Sequence, residues 1–264
     1  MGLNLKYKTR RAVFALIMSA LVALIVIVNP NSYQKRAENV AQAEDQQSKK
    51  SPEEDSNGTG GEQVSGGKGE NEEKAEQHKP LAKELLSRLE VKGRAPKTGY
   101  KRTEFYNGWP EIEGCNLRQR ILRRDFGETA KLDEKCNVVA GKFYEPYTGE
   151  EMEFNSRTEI SKKVQIDHVV ALSDAWQKGA QYKTAEERYR IATDALNLIA
   201  VQAAANQQKS DGDAATWLPK NKGFRCQYVA RQISVKYKYL LWVSEAEKTV
   251  MSEILDSCPD QKSY

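Results

Sequence analysis

Histidine is almost missing from this 264-residue chain, which has two, His78 and His168. His78 lies in a stretch too polar to fold, so imidazole chemistry in a folded region falls to His168. Closely spaced cysteines are also missing. The four cysteines (Cys115, Cys136, Cys226 and Cys258) include no pair two to four residues apart, which argues against a zinc centre built from all four. No Gly-x-Ser-x-Gly occurs, which removes the nucleophile elbow that a Ser-His hydrolase would need. A strong excess of one charge is lacking as well. From residue 93 onward 27 basic residues face 24 acidic ones, too even a balance for a non-specific nucleic-acid coat, though it permits a polyanionic substrate. There is no internal repeat.

A long apolar run occurs once. Lys6, Lys8, Arg10 and Arg11 precede 17 uncharged, mostly apolar residues from Ala12 to Val28, followed by Asn29-Pro30. That order reads as an export signal. The run is short for a membrane-spanning helix, which wants about 20 residues, and positive charge before it would leave the rest of the chain outside. An Ala-x-Ala site at Ala41-Gln42-Ala43 lies far from the run. Residues 1–30 are thus a cleaved signal or a retained membrane anchor, and both stay open. Residues 31–80 carry almost no apolar side chain and hold seven basic against eleven acidic residues. Such a segment cannot bury enough surface to offset chain entropy, so it reads as a flexible polar linker with no grip on nucleic acid. Residues 81–264 are the length of one ordinary domain.

All four cysteines fall in that domain, and an even count in an exported chain points to disulfides. Of three possible pairings, Cys115–Cys136 and Cys226–Cys258 are favoured, each closing a loop worth about 3 kcal/mol. Periodicity places a short helix over 80–89 and another over CNLRQRILRRDF, whose four arginines read chiefly as a solvated face. A strand pair with a Pro/Gly turn follows from Val138. VQIDHVVAL is expected as a strand, LSDAWQKGA and TAEERYRIA as helices, the second opened by Thr184 with Glu187 as a capping box, LNLIAV as a strand, and QAAANQQKS as a helix. Two helices close the chain, the last opened by Ser244 with Glu247 as a capping box. In the run Lys236 to Tyr239 the expectation is core tyrosines with snorkelling lysines.

Strand, strand and helix then carry polar residues at particular places: Asp167 and His168, then Asn197, then Asn206 and Lys209. Asn197-Leu198 followed by Val201, with N-x-x-K at 206–209, resembles the second half of the HNH nuclease motif, and Asp167-His168 resembles its first half. More narrowly, DHVVAL, AWQKGA, Arg188, Asp194, NLIAV, N-x-x-K, Trp217-Leu218-Pro219 and Cys226-x-Tyr228 resemble a set of exported proteins. These share the C-terminal nuclease domain of GmrSD-type restriction enzymes, and the likeness covers about residues 100–258.

This resemblance implies an α+β, ββα-metal core with added helices, stapled by disulfides, that cuts phosphodiester bonds of DNA, or of RNA, with low sequence specificity. It implies one divalent cation, Mg²⁺ or Mn²⁺. Asp167 and Asn206 are its expected oxygen ligands, hard donors of the type such ions prefer. His168 is the expected general base, its ordinary pKa of about 6.5 suiting proton removal from water. Asn197 would steady the hairpin or orient His168. Lys209 would hold a phosphate, with Arg188 a weaker candidate. Successive strand residues point to opposite faces, so Asp167 and His168 can serve one phosphate only where the strand ends or bends. No cysteine pairs flank the motif, because QAAA precedes Asn206, so no structural zinc is expected; Ala195 and Ser210 depart from the family's usual proline and glycine. The rival reading keeps the fold and drops catalysis, giving a surface-tethered module that captures DNA. A purely structural histidine is the plainest alternative. No protein partner is evident, and membrane contact is expected only through an uncleaved N-terminal segment.

Overall fold

The computed structural model describes residues 79–264. The export segment and nearly all of the polar linker lie outside the described residues, and no described helix is long and apolar enough to cross a membrane.

Helix α1, Ala82–Arg88, buries Ala82, Leu85 and Leu86 at helical spacing. After a long irregular stretch and a 3-10 turn at Arg102–Glu104, a two-residue ribbon of β1 (Glu111–Ile112) and β2 (Cys115–Asn116) leads into α2, Leu117–Phe126. The Asn116 side chain caps α2 by accepting from the backbone N–H of Arg118. Its arginines are more committed than a solvated face would be. Arg118 donates to the Val164 carbonyl at 3.0 Å, and Arg124 donates to the carbonyls of Ala195 and Leu198 at 2.9 and 2.7 Å.

Strands β3 (Lys131–Leu132), β4 (Val138–Tyr144) and β5 (Glu151–Phe154) form an antiparallel sheet in that order. Helix α3, Arg157–Lys163, follows, capped by Ser156. Next come β6 (Val164–His168), α4 (Leu172–Gln177), α5 (Ala185–Thr193), β7 (Leu198–Gln202) and α6 (Ala203–Lys209). The chain ends with α7 (Arg225–Lys238) and α8 (Glu245–Asp256). Both expected capping boxes form, Thr184 with Glu187 and Ser244 with Glu247.

β6 and β7 pair antiparallel, with Val164 opposite Gln202 and His168 opposite Leu198. Both faces of this ribbon are covered. Ile166, Leu198 and Ala200 pack with Ile121, Phe143 and Phe154, while Ile199 and Val201 pack with Val229, Ile233 and Met251. Burial on both faces explains the unbroken apolar run LIAV. A third apolar group of Phe105, Val170, Trp176 and Ile191 supports α4 and α5. The structure pairs Cys115 with Cys136 and Cys226 with Cys258, leaving no free cysteine. The second bridge ties α7 to the end of α8.

Snorkelling does not describe Lys236. It is fully buried and belongs to a six-member ionic cluster. Lys178, also fully buried, lies 2.8 Å from Asp174, 2.7 Å from Asp213 and 2.6 Å from Glu247. Lys236 reaches Asp174 at 3.3 Å and Glu247 at 2.5 Å, and Arg94 reaches Asp174 and Asp213 at 3.2 and 2.8 Å. Three cations thus balance three carboxylates, which is the condition under which charge survives burial. The cluster joins the chain before the domain's first sheet to α4, α7, α8 and the loop after α6.

Candidate active site

β6 stops at His168 for a local reason. The Val169 N–H donates to the Asn197 carbonyl at 2.8 Å. The Asn197 side chain then takes both backbone groups of Val170, accepting from its N–H at 2.8 Å and donating to its carbonyl at 3.3 Å. A third bond, from Asn197 Nδ2 to the Ile191 carbonyl at 3.0 Å, fixes the amide, which is completely buried. Asn197 therefore folds the chain away from the ribbon one residue after His168.

That bend lets two successive residues serve one place. Asp167, His168 and Asn206 all line a cleft of about 480 Å³, together with Gln165, Ser173, Asp211 and, from the irregular N-terminal stretch, Lys97, Tyr100 and Arg102. Asp167 and His168 themselves are 5% and 4% exposed, so they sit at the cleft's floor.

Asp167 is held from two directions. Tyr147 Oη donates to Oδ2 at 2.5 Å, while Lys209 Nζ lies 3.1 Å from Oδ1 and 3.0 Å from Oδ2. Lys209 also donates to the His168 carbonyl at 2.9 Å. Burial raises the Asp167 pKa, and Lys209 and Tyr147 offset that rise only in part. Lys209 is fully buried on this carboxylate and does not line the cleft. Asn206 donates its amide to Gln165 Oε1 at 2.8 Å, so its oxygen is the atom left for a cation.

His168 Nε2 lies 2.9 Å from the Ala192 carbonyl. A carbonyl can only accept, so Nε2 carries the proton and Nδ1 is the basic nitrogen. The ring stacks on Trp109, centroids 5.9 Å apart and planes 10° from parallel, with Tyr106 tilted against it at 5.9 Å. Burial first, then the positive charges of Arg102 and Lys209, lower its pKa to about 3. The imidazole is neutral throughout the physiological range.

Arg188 lies elsewhere. Its guanidinium donates to the carbonyls of Glu104 and Lys183 at 2.8 and 2.5 Å and lies 5.6 Å from the Trp176 ring. It braces the 3-10 turn that carries Arg102. Sequence reading missed Tyr147, which looked like a turn residue, and Arg102, which carried no motif. Neither has a signal in the local pattern: Tyr147 meets Asp167 20 positions away, and Arg102, held locally by Tyr106, reaches the cleft only through the fold.

Among the described residues no three His, Cys, Asp or Glu side chains gather as a metal-holding group. A smaller set still suits a hard cation. Mg²⁺ usually keeps several waters and takes one or two protein oxygens plus substrate phosphate. Asp167 and Asn206 offer such oxygens on one cleft, with Lys209 sharing the carboxylate.

Residues 117–254, just over half of the chain, match the family model described as GmrSD restriction endonucleases, C-terminal domain. An "Uncharacterized secreted protein" of Arthroderma benhamiae is 38% identical over 180 residues, covering 67% of this chain and 84% of the relative. No solved structure matches the chain. Asp167, His168, Asn197, Asn206 and Lys209 all fall inside the matched region, whereas Lys97 and Arg102 precede it. The chain belongs to the family of GmrSD restriction endonuclease C-terminal domains.

Proposed function

We propose that this protein is an exported, divalent-metal-dependent endonuclease with a ββα-metal core, hydrolysing phosphodiester bonds of DNA in preference to RNA with little sequence specificity. The observation that carries the reading is the meeting of Asp167, His168 and Asn206 on one cleft, from β6 and α6, with the imidazole's basic nitrogen fixed by its partner. Family membership supports the nucleic-acid substrate. Two disulfides and a relative described as secreted support export.

In this reading the neutral His168 takes through Nδ1 the proton from a water that attacks phosphorus, as a weaker base than a free imidazole because burial and Arg102 depress it, while the Ala192 carbonyl keeps the ring's tautomer and Trp109 its plane. Asn197 positions His168 by ending the strand beside it. Asp167 and Asn206 would hold the cation, Mg²⁺ or Mn²⁺, which supplies neutralisation of the non-bridging oxygen and the departing 3′ oxygen. Lys209 and Tyr147 orient Asp167, and because both carboxylate oxygens already carry a donor a cation would have to share them. Lys209 then acts on the carboxylate more than on a phosphate, and Arg188 acts through the turn it braces.

One observation favours a second reading, a DNA-capturing module without catalysis. The Lys209 ammonium already lies on both oxygens of Asp167, a state that needs no further cation. Metal titration of the full chain with supercoiled plasmid separates the two. Nicking that appears with Mg²⁺ or Mn²⁺ and stops with EDTA supports the enzyme; gel retardation without nicking at any metal concentration supports the binder.

A further inference from the structure

The cleft's positive charge does not come from the residues that match the family model. Of the side chains lining it, the only cations are Lys97 and Arg102, both from the irregular segment before β1. Lys97 is already neutralised by Asp211 at 2.9 Å. Arg102 is different: its partners are the hydroxyl of Tyr106, at 2.5 Å from Nη2, and the ring of Tyr106, 5.2 Å from the guanidinium. Among the described residues no carboxylate pairs with it. An exposed guanidinium with a fixed stem and no acid partner is suited to an anion from outside.

The segment is built to hold that side chain in place. Ala95 N–H donates to the Gln177 carbonyl at 2.9 Å, and Trp176 Nε1 donates to the Thr98 carbonyl at 3.3 Å. Gly99 turns the chain at φ 80°, a conformation costly for other residues. Phe105, buried directly after the 3-10 turn, and Arg188, donating to the Glu104 carbonyl, lock the far end. The Tyr106 ring lies 5.2 Å from the guanidinium and 5.9 Å from the His168 ring centroid. Arg102 and His168 thus line one cleft and are linked through the Tyr106 ring.

We propose that Arg102 is a substrate-binding residue that contacts a backbone phosphate of the nucleic acid in the cleft, so that the segment before the family domain completes the site. This rests on the nuclease reading above.

The test uses the full chain and fluorescein-labelled single- and double-stranded DNA oligonucleotides in EDTA, where binding is read without cleavage. The measurement is anisotropy across a salt series for the wild type, Arg102→Ala, Arg102→Lys and Lys97→Ala. Losing one phosphate contact lowers the salt slope by about 0.7–0.9 and weakens binding about five- to tenfold near 0.1 M salt. Arg102→Ala should show that loss, and Arg102→Lys should keep most of the slope. An unchanged slope in Arg102→Ala overturns the proposal, as does a loss seen in Lys97→Ala but not in Arg102→Ala. If the alanine variant melts early, Arg102→Gln, which keeps the stem over Tyr106, is judged by the same slope. A wild type that cleaves plasmid while Arg102 proves silent rejects this inference alone. A wild type that neither binds nor cleaves rejects the functional reading beneath it.

Discussion

Replacing Lys178 with methionine removes one cation from a cluster in which three carboxylates meet it within 2.8 Å. The aliphatic stem is nearly conserved, so little cavity forms and the loss is electrostatic. What remains is three buried acids against Lys236 and the one-third-exposed Arg94. Removing one member of a buried ion pair typically costs about 3–5 kcal/mol, because the leftover charge stays uncompensated. For a domain of this size that corresponds to a melting temperature lower by roughly 6–20 °C. Calorimetry at pH 7 measures it. The pH dependence gives a second check. Burial alone would raise Asp213, but Lys178 and Arg94 outweigh it and hold the carboxyl well below its usual range. In the wild type that stabilisation is present above the unfolded pKa near 3.9 and is lost as pH falls through the folded value. In Lys178→Met an unpaired carboxylate titrates upward instead, so the native state takes up a proton and the deficit shrinks on acidification. A penalty below about 1 kcal/mol, or one that grows as pH drops from 7 to 5, would refute the argument.

Further expectations follow from single contacts. Asn197→Ala leaves three buried backbone groups of Val170 and Ile191 unpaired, which should cost about 2–4 kcal/mol by urea denaturation and abolish cleavage even where the protein remains folded. Because His168 titrates near 3 rather than about 6.5, kcat/KM should stay level as pH falls from 8 to 6; an acid limb with a midpoint near 6.5 would contradict the neutral, buried imidazole. The same shift means the unfolded chain binds a proton the folded one rejects, so stability should decline as pH falls below about 6.5. Cys115→Ser with Cys136→Ser opens a bridge spanning 21 positions and should lower stability by about 3 kcal/mol, read by thermal melting with and without reductant.

How much of this was legible without a structure depended on where the partners lay. Elements set by local spacing were readable, including α2, α7, α8 and both capping boxes. Helix α3 went unread although Ser156 and Glu159 stand three apart, because one buried residue, Ile160, gives no apolar stripe. The strand expected through Leu172 ends at His168 because Asn197, 27 positions beyond Val170, takes the backbone groups that would have continued it. VQIDHVVAL has β-branched residues on both sides of that break, so propensity alone sees no end. Of the motif residues, Asp167, His168 and Asn206 line one cleft, while Asn197 and Lys209 are buried behind it on the Val170 backbone and the Asp167 carboxylate. Their partners did not show: Tyr147 meets Asp167 across 20 positions, and Lys178 meets Glu247 across 69. Lys236 looks like a snorkelling side chain in the sequence because the acids that keep it buried, Asp174 and Glu247, lie on other elements.

The central claim is that Asp167, His168 and Asn206 act together on a phosphodiester. Its most direct test is the initial rate of supercoiled-plasmid nicking by the full chain with Mn²⁺ or Mg²⁺, compared with His168→Ala and with EDTA. The account predicts cleavage that EDTA stops and that His168→Ala reduces by at least about a hundredfold, in line with removal of a general base. Nicking by His168→Ala at the wild-type rate, or undiminished nicking in EDTA, would contradict it.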